Sequence, residues 1–162
     1  MPIHPAGSGS GFTMIELMVV TVIIAVIAAM VVPLAFGTSG TAAMASARRL
    51  GADMEYAQNL AITTQSNITV TFDTTANSYT VSNSSGVVQH PITLKAFTIT
   101  LGNEAGSNGV AITSAFGTGK QVVFGPLGDP TPAGTVALGG GGSNYVLTVA
   151  AVTGRVSIAA VP

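Results

Sequence analysis

The residues that could carry chemistry are few and lie far apart in the sequence. The chain has 162 residues and no cysteine, which excludes thiolate chemistry, disulfides and cysteine metal ligands. Beyond the first eleven residues there is one histidine, His90, which we expect in a surface loop because Pro91 follows it. Three acidic residues lie in or near separate turns: Asp73, Glu104 and Asp129. Serine and threonine are abundant but have no base to activate them, so the sequence predicts no enzyme, no cofactor and no metal site.

One acidic residue, Glu16, stands in a setting that requires an explanation. It is the only charged residue in the apolar run 12–32, which is long enough to cross a roughly 30 Å hydrocarbon core as a helix. A carboxylate there costs roughly 2.5–3.5 kcal/mol on insertion scales. Glu16 therefore either lies at the interface, near the positive end of the helix, or has a specific partner.

The segment before this run is polar and ends in a small residue. Residues 1–11 are rich in glycine and serine, with Gly11 at the junction. A secretory signal peptide has its small-residue cleavage site after the apolar run, which is the opposite arrangement. Residues 1–11 are thus either a processing leader or a flexible tail. After the run, Pro33 predicts a kink or an end of the helix.

The junction resembles a known processing motif. Residues 11–17, Gly-Phe-Thr-Met-Ile-Glu-Leu, are similar to the motif of type IV prepilins and type II secretion pseudopilins. The resemblance implies cleavage between Gly11 and Phe12 by a prepilin peptidase, and N-methylation of Phe12. It further implies a salt bridge from Glu16 to the Phe12 ammonium of a neighbouring subunit, and a helix kink at Pro33. Opposite charges in a low-dielectric helix bundle satisfy each other, and such a pair fixes the stagger between subunits.

The same resemblance implies partners and a location. The partners are the peptidase, other pilin or pseudopilin subunits that pack through the N-terminal helix, and an inner-membrane assembly platform. The expected location is the bacterial inner membrane, as a single-pass protein with its domain in the periplasm. After assembly, the location is a periplasmic or surface filament.

A second helical segment follows a loosened stretch at 34–40, where two glycines weaken the helix. Residues 41–65 have apolar positions at helical spacing, which predicts one buried stripe. Its members are Ala43, Ala47, Leu50, Met54, Ala57 and Ala61. Charged residues lie mostly off this stripe, and Arg49 and Asp53 are spaced as an i, i+4 pair.

From residue 67 the pattern alternates as in β-strands. Segments 68–72 and 78–81 flank a turn and predict a hairpin. Further predicted strands are 92–94, 97–101, 110–112, 121–124, 135–138, 144–149 and 155–159, the last of them in a terminal hairpin. Short strands with turn signals predict two small antiparallel sheets or one twisted sheet.

The predicted fold class is α+β, pilin-like: a long N-terminal helix packs its C-terminal half on a small antiparallel sheet or sandwich. The predicted regions are a leader (1–11), a transmembrane and assembly helix (12–33), an amphipathic continuation (34–66) and a β-rich domain (67–162).

The later segments resemble the GspH/FimT group of minor pseudopilins and minor type IV pilins. The resemblance is carried in order by segments 47–50, 57–62, 124–128 and 153–156. It implies a non-enzymatic filament subunit, a minor pseudopilin of the type II secretion system that takes part in pseudopilus assembly and protein secretion. The alternative is a minor type IV pilin for pilus biogenesis or for DNA uptake.

The charge pattern bears on the DNA alternative. After residue 33, five cations balance five anions, so the domain has no strong attraction for nucleic acid. In the FimT-like branch, basic residues near the C-terminal turn are associated with DNA capture, and here that position offers Arg155 alone. One arginine predicts at most weak, salt-sensitive binding. The other interpretation is that Arg155 is a hairpin residue covering a sheet edge.

Overall fold

The computed structural model describes residues 12–36, 39–102 and 106–161, with side chains for 12–29 and from residue 40 onward. The chain divides into two compact units, Met1–Gly37 and Thr38–Pro162. The first unit contains helix α1 and the second contains helix α2 and the β-domain.

Helix α1 runs from Met14 to Phe36, and its sequence is apolar apart from Glu16 and Thr21. The helix continues through Pro33 and ends three residues later, so the proline does not end it, and a kink at Pro33 stays a prediction. Within the described residues, no helix combines the length and the hydropathy needed to cross a membrane.

Helix α2 runs from Ser39 to Thr64. It begins inside the stretch that the sequence predicted to be loosened, while residues 37–38 lie outside the described ranges. The predicted apolar stripe is confirmed, because all six of its members are fully buried. The helix ends where Gln65 takes a positive φ of 50° and the Ser66 amide donates to the Ala61 carbonyl oxygen at 3.2 Å, a Schellman-type ending.

Two antiparallel sheets form the rest of the domain, which confirms the first of the two predicted arrangements. The first sheet has the order β3-β2-β1-β6-β7, with β4 also paired to β2, and the second has the order β10-β9-β8-β5. The strands are β1 (Ile68–Asp73), β2 (Ser78–Asn83), β3 (Gly86–Val87), β4 (Thr98–Thr100), β5 (Ala111–Ala115), β6 (Gln121–Phe124), β7 (Pro130–Thr131), β8 (Gly134–Gly140), β9 (Ser143–Val149) and β10 (Val156–Val161).

The two predicted hairpins are confirmed, as β1 with β2 and β9 with β10. A predicted strand at 92–94 is wrong. Those residues form a turn, in which Leu94 has a φ of 57° and its amide donates to the His90 carbonyl oxygen at 3.0 Å. The expectation of a surface His90 is also wrong, because its side chain is buried.

His90 is buried because its ring has neighbours that use both its polar and its apolar character. Its Nδ1 accepts hydrogen bonds from the amides of Ile92 (3.1 Å) and Thr93 (3.3 Å). Its ring centroid lies 4.5 Å from that of Phe97. The histidine therefore closes the 90–94 turn and packs on the core, which is a structural role.

The core lies between α2 and the two sheets. Helix α2 contacts β1 and β6 of the first sheet and β8, β9 and β10 of the second. The largest fully buried side chains include Tyr79, Phe97 and Phe124. One helix therefore packs against strands of both sheets.

Asn77 connects the two sheets. Its Nδ2 donates to the carbonyl oxygens of Leu101 and Val110, both at 2.8 Å. Its Oδ1 accepts from the Ile112 amide, also at 2.8 Å. Asn77 has a φ of 53°, a conformation that asparagine tolerates better than most residues. The side chain thus holds the turn after β1 against β5.

Candidate assembly site

The start of α1 is a capped helix terminus. The Glu16 amide donates to the Thr13 carbonyl oxygen at 3.1 Å and to the Thr13 Oγ1 at 3.3 Å. Thr13 and Glu16 thus have the spacing of a capping box, in which a threonine precedes a helix and a glutamate follows three residues later. Sequence reasoning missed Thr13, although the Thr-x-x-Glu spacing was available as a signal.

Glu16 lies in the first turn of α1, where the helix dipole favours a negative charge. Phe12, Glu16, Leu17 and Val20 line one shallow, open depression on the helix surface. Residue 12, the predicted first residue after cleavage, therefore lies beside the predicted assembly carboxylate. Gly11, the other half of the predicted cleavage site, lies outside the described residues.

The remainder of this helix presents large apolar side chains to the surroundings. Phe12 is 80% exposed, and the further exposed apolar residues include Met14, Ile15, Leu17, Met18, Val19, Val20, Val22, Ile23, Ile24, Val26 and Ile27. A helix that exposes so many large apolar side chains requires cover by other helices or by lipid. The chemistry of this segment is therefore association through apolar contact, with one carboxylate available for charge pairing.

A second structural feature lies at the far end of α2. The Gln58 Nε2 donates to the carbonyl oxygens of Gly128 and Thr153, each at 2.8 Å. These bonds hold the 125–129 loop and the 150–155 turn side by side. Three of the four segments that carried the GspH/FimT resemblance, 57–62, 124–128 and 153–156, meet at this point. Sequence reasoning assigned no role to Gln58 itself.

This junction presents apolar and basic groups at its surface. Leu127 is 87% exposed and Val152 is 82% exposed, and each lies in one of the two loops that Gln58 joins. Arg155 is also exposed, and its carbonyl oxygen accepts from the Ala150 amide at 3.0 Å, which closes the terminal hairpin. The prediction of Arg155 as a hairpin residue agrees with this position.

The described residues offer little for metal binding or acid–base chemistry. No three side chains of His, Asp or Glu within them form a group that could hold a metal ion. Asp73 is a turn residue, whose Oδ1 accepts from the amides of Thr75 (2.8 Å) and Ala76 (2.9 Å). Glu104 lies outside the described ranges. The candidate functional features are thus the apolar helix with Glu16 and the end of α2 at which Gln58 binds the two loops.

The sequence matches two family models. Residues 46–154 match the family described as Type II transport protein GspH. Residues 9–32 match the prokaryotic N-terminal methylation motif, which includes Phe12 and Glu16. No curated protein sequence matches.

Solved structures confirm the fold. The minor pseudopilin EpsH from the type 2 secretion system of Vibrio cholerae superposes with a TM-score of 0.56 and 15% identity, over 73% of this chain and 96% of that one. The type IV minor pilin FimU of Pseudomonas aeruginosa superposes with a TM-score of 0.51 and 15% identity, over 74% of this chain and 88% of that one. At these identities the similarity shows the fold.

A methylation motif on an apolar helix, joined to an amphipathic helix on two small antiparallel sheets, defines the type IV pilin-like class. Within that class the chain belongs to the GspH family, whose model covers more than half of it. This family comprises structural subunits, the minor pseudopilins and minor pilins, and not enzymes. The methylation motif implies processing by a prepilin peptidase and assembly with other pilin-like subunits.

Proposed function

We propose that this chain is a minor pseudopilin of the type II secretion system, which takes part in pseudopilus assembly and protein export. The observation that carries the proposal is the union, in one chain, of a GspH domain at 46–154 and a methylation motif at 9–32. The family description itself refers to type II transport.

The proposed maturation begins at the junction of residues 11 and 12. A prepilin peptidase cleaves between Gly11 and Phe12, and the new amino terminus of Phe12 is N-methylated. Glu16 then pairs with the Phe12 ammonium of a neighbouring subunit. Its place in the first helical turn, next to Phe12 in one surface depression, supports this pairing. A charge pair among apolar helices favours one register over others.

The proposed location is the inner membrane, with α1 in the bilayer before assembly and the β-domain in the periplasm. The apolar run 12–32 supports this. An inner-membrane assembly platform then transfers the subunit into the filament. During that transfer the exposed apolar side chains of α1 exchange lipid contacts for contacts with neighbouring helices, so they stay out of water throughout.

A deletion in the native host, with complementation, tests the proposal against a minor type IV pilin. Release of secreted proteins, surface pili and DNA uptake are measured in parallel. We expect secreted enzymes to accumulate in the periplasm while pili and transformation are unchanged. Normal secretion with fewer pili or less transformation would instead identify a minor pilin, and Arg155→Ala would then test DNA binding at the terminal hairpin.

A further inference from the structure

A complete strand edge is open in the second sheet. Strand β10 (Val156–Val161) is the terminal strand of the order β10-β9-β8-β5. It pairs with β9 over all six residues without a register shift, and residues 157–161 are all exposed. An edge strand presents unpaired N–H and C=O groups that can template another strand.

The pairing pattern identifies which backbone groups face outward. The bond from the Ala150 amide to the Arg155 carbonyl oxygen marks a hydrogen-bonded pair, and such pairs alternate with non-hydrogen-bonded ones. The amides and carbonyls of Val156, Ile158 and Ala160 therefore point away from β9. Among the described residues, no other backbone group bonds to these three. These backbone groups are positioned to form hydrogen bonds with an additional strand.

The other sheet edges carry features that block such pairing. In the first sheet, β3 and β7 have two residues each and β4 has three, and β7 itself contains Pro130. In the second sheet, the opposite edge strand β5 has a register shift between Ile112 and Ser114. Short strands, prolines and bulges are the usual means of protecting an edge. Strand β10 has six residues and contains no proline, no charge and no shift.

We propose that the open edge of β10 binds an extended segment of another pilin-like subunit, which adds a fifth strand to the second sheet. The inference rests on the proposed function to the extent that this partner is a filament subunit. Backbone pairing at an edge requires an extended polypeptide, so the geometry itself specifies the kind of occupant.

Charge distinguishes another subunit from a second copy of this chain. Arg155 immediately precedes β10 and is exposed, which favours an acidic residue at the adjoining end of the incoming strand. Residues 130–161 contain no aspartate or glutamate, so the corresponding region of a second copy offers no acidic side chain to Arg155. A different subunit with an acidic, extended segment fits this edge better.

The small size of the edge agrees with this partner. Three outward-facing residues provide few hydrogen bonds, so the edge binds weakly to a free peptide. Subunits already held together through their N-terminal helices meet at high effective concentration, and there a weak contact is occupied. The edge would then set the orientation of the β-domain relative to its neighbour in the filament.

Site-specific photo-crosslinking in the native host, in the full chain, tests the inference. The photoreactive residue p-benzoylphenylalanine replaces Ala159 on β10 or, as a matched control, Ala111 on the opposite edge strand β5; both alanines are exposed. We expect position 159 to crosslink to another methylated subunit, within an extended segment that contains an acidic residue, and position 111 to give at least tenfold less of that product.

Two substitutions at one position sharpen the test. Ala160→Pro removes an outward N–H without removing a bond to β9, and proline is accepted at edge positions of this kind. It should reduce the crosslink from position 159 at least tenfold, whereas Ala160→Val should leave it unchanged. If Ala160→Pro does not fold, Ala160→Lys, which protects an edge with a charge, replaces it with the same expectation.

The outcomes separate the inference from the proposed function. A product with a second copy, the absence of a product, or a crosslink that survives both Ala160→Pro and Ala160→Lys would overturn the inference. If the chain still copurified with other subunits in those cases, the proposed function would stand. A processed chain that never associates with other subunits would overturn both.

Discussion

Gln58 on α2 donates its side-chain amide to the carbonyl oxygen of Thr153 at 2.8 Å, although the two residues are 95 positions apart in the sequence. The same nitrogen donates to the Gly128 carbonyl oxygen. One side chain of the helix therefore fixes the turn before β10 and the loop after β6. This contact ties the turn that precedes the open β10 edge to helix α2.

Replacing Gln58 should release both loops. Gln58→Ala leaves two carbonyl oxygens without their donor, and we expect a loss of about 1–3 kcal/mol in the free energy of unfolding. Asn59→Ala, at an exposed position of the same helix, is the matched control and should change stability by less than about 0.5 kcal/mol. Urea unfolding of the full chain in detergent measures both. Equal losses would show that the hydrogen bonds of Gln58 do not stabilise the domain.

Gly154 lies next to the hydrogen bonds that Gln58 donates, and two separate features of its position require glycine. It has a φ of 65°, and a Cβ there would lie 2.6 Å from the Gly128 carbonyl oxygen. Gly142 has a φ of 78° with nothing within 4 Å of a Cβ, so Gly142→Ala measures the backbone cost alone, about 1–2 kcal/mol.

Gly154→Ala should lose a further 1–3 kcal/mol, roughly the cost of overpacking. Thermal unfolding of the two variants, compared under identical conditions, gives the difference. If Gly154→Ala is no less stable than Gly142→Ala, the close approach of the two loops has no energetic consequence.

Local pattern predicted the elements of this fold well. The buried stripe of α2 follows from helical spacing, and the hairpins follow from alternation interrupted by turn residues. The strand predicted at 92–94 failed because three apolar or β-branched residues were assigned by propensity. In the structure the Nδ1 of His90 accepts the amides of Ile92 and Thr93, a side-chain contact that closes a turn instead.

The parts of the candidate site likewise differ in how far the sequence predicts them. The assembly helix is continuous in sequence, so its motif and Glu16 were visible directly. The hydrogen bonds of Gln58 reach segments that are 70 and 95 residues away. The sequence around a helical glutamine contains no pattern that predicts such partners. The open edge of β10 was likewise unpredictable, because strand order depends on long-range pairing.

Asn77 should be among the most sensitive polar positions of the domain. Its side chain makes three hydrogen bonds, of which those to Val110 and Ile112 reach β5 of the second sheet and the residue before it, and Asn77→Ala would leave three backbone groups without partners. We expect a loss of about 2–4 kcal/mol. Asn83, whose Oδ1 accepts one amide in an exposed turn, provides the control: Asn83→Ala should cost less than about 1 kcal/mol. Chemical denaturation checks the ranking, and the reverse order would refute it.

We expect protonation of Asp73 to account for part of the loss of stability of the domain in acid. Hydrogen bonds from the backbone amides of Ala76 and Thr75, with a smaller attraction from Lys120, hold the pKa of Asp73 below its ordinary value of 3.8. A carboxyl with a depressed folded-state pKa stabilises the fold above its unfolded pKa, and that stability is lost as the pH falls through the folded value.

Asp73→Asn should therefore flatten the acid limb of the stability profile below about pH 4. The asparagine oxygen still accepts the two amides, so the turn itself is retained at neutral pH. Unfolding free energies measured from neutral pH downward for both proteins give the comparison. Parallel curves would show that the charge of Asp73 does not contribute.

Substitution of Glu16 tests the role of the N-terminal helix in assembly. Glu16→Gln keeps the size and the polar end of the side chain but removes the charge that would attract the Phe12 ammonium of a neighbour. We expect a processed, membrane-bound chain that enters filaments at least tenfold less often, because the helix has lost the interaction that sets its register.

Glu55→Gln, a charge removal at an exposed position of α2, is the matched control and should assemble normally. Gel mobility reports cleavage, membrane fractionation reports anchoring, and the amount of chain in sheared filaments reports assembly. Normal incorporation of Glu16→Gln would refute the charge pair. Failure of cleavage would instead assign Glu16 a role in recognition by the peptidase, because the capping contacts from the Glu16 amide to Thr13 do not involve the carboxylate.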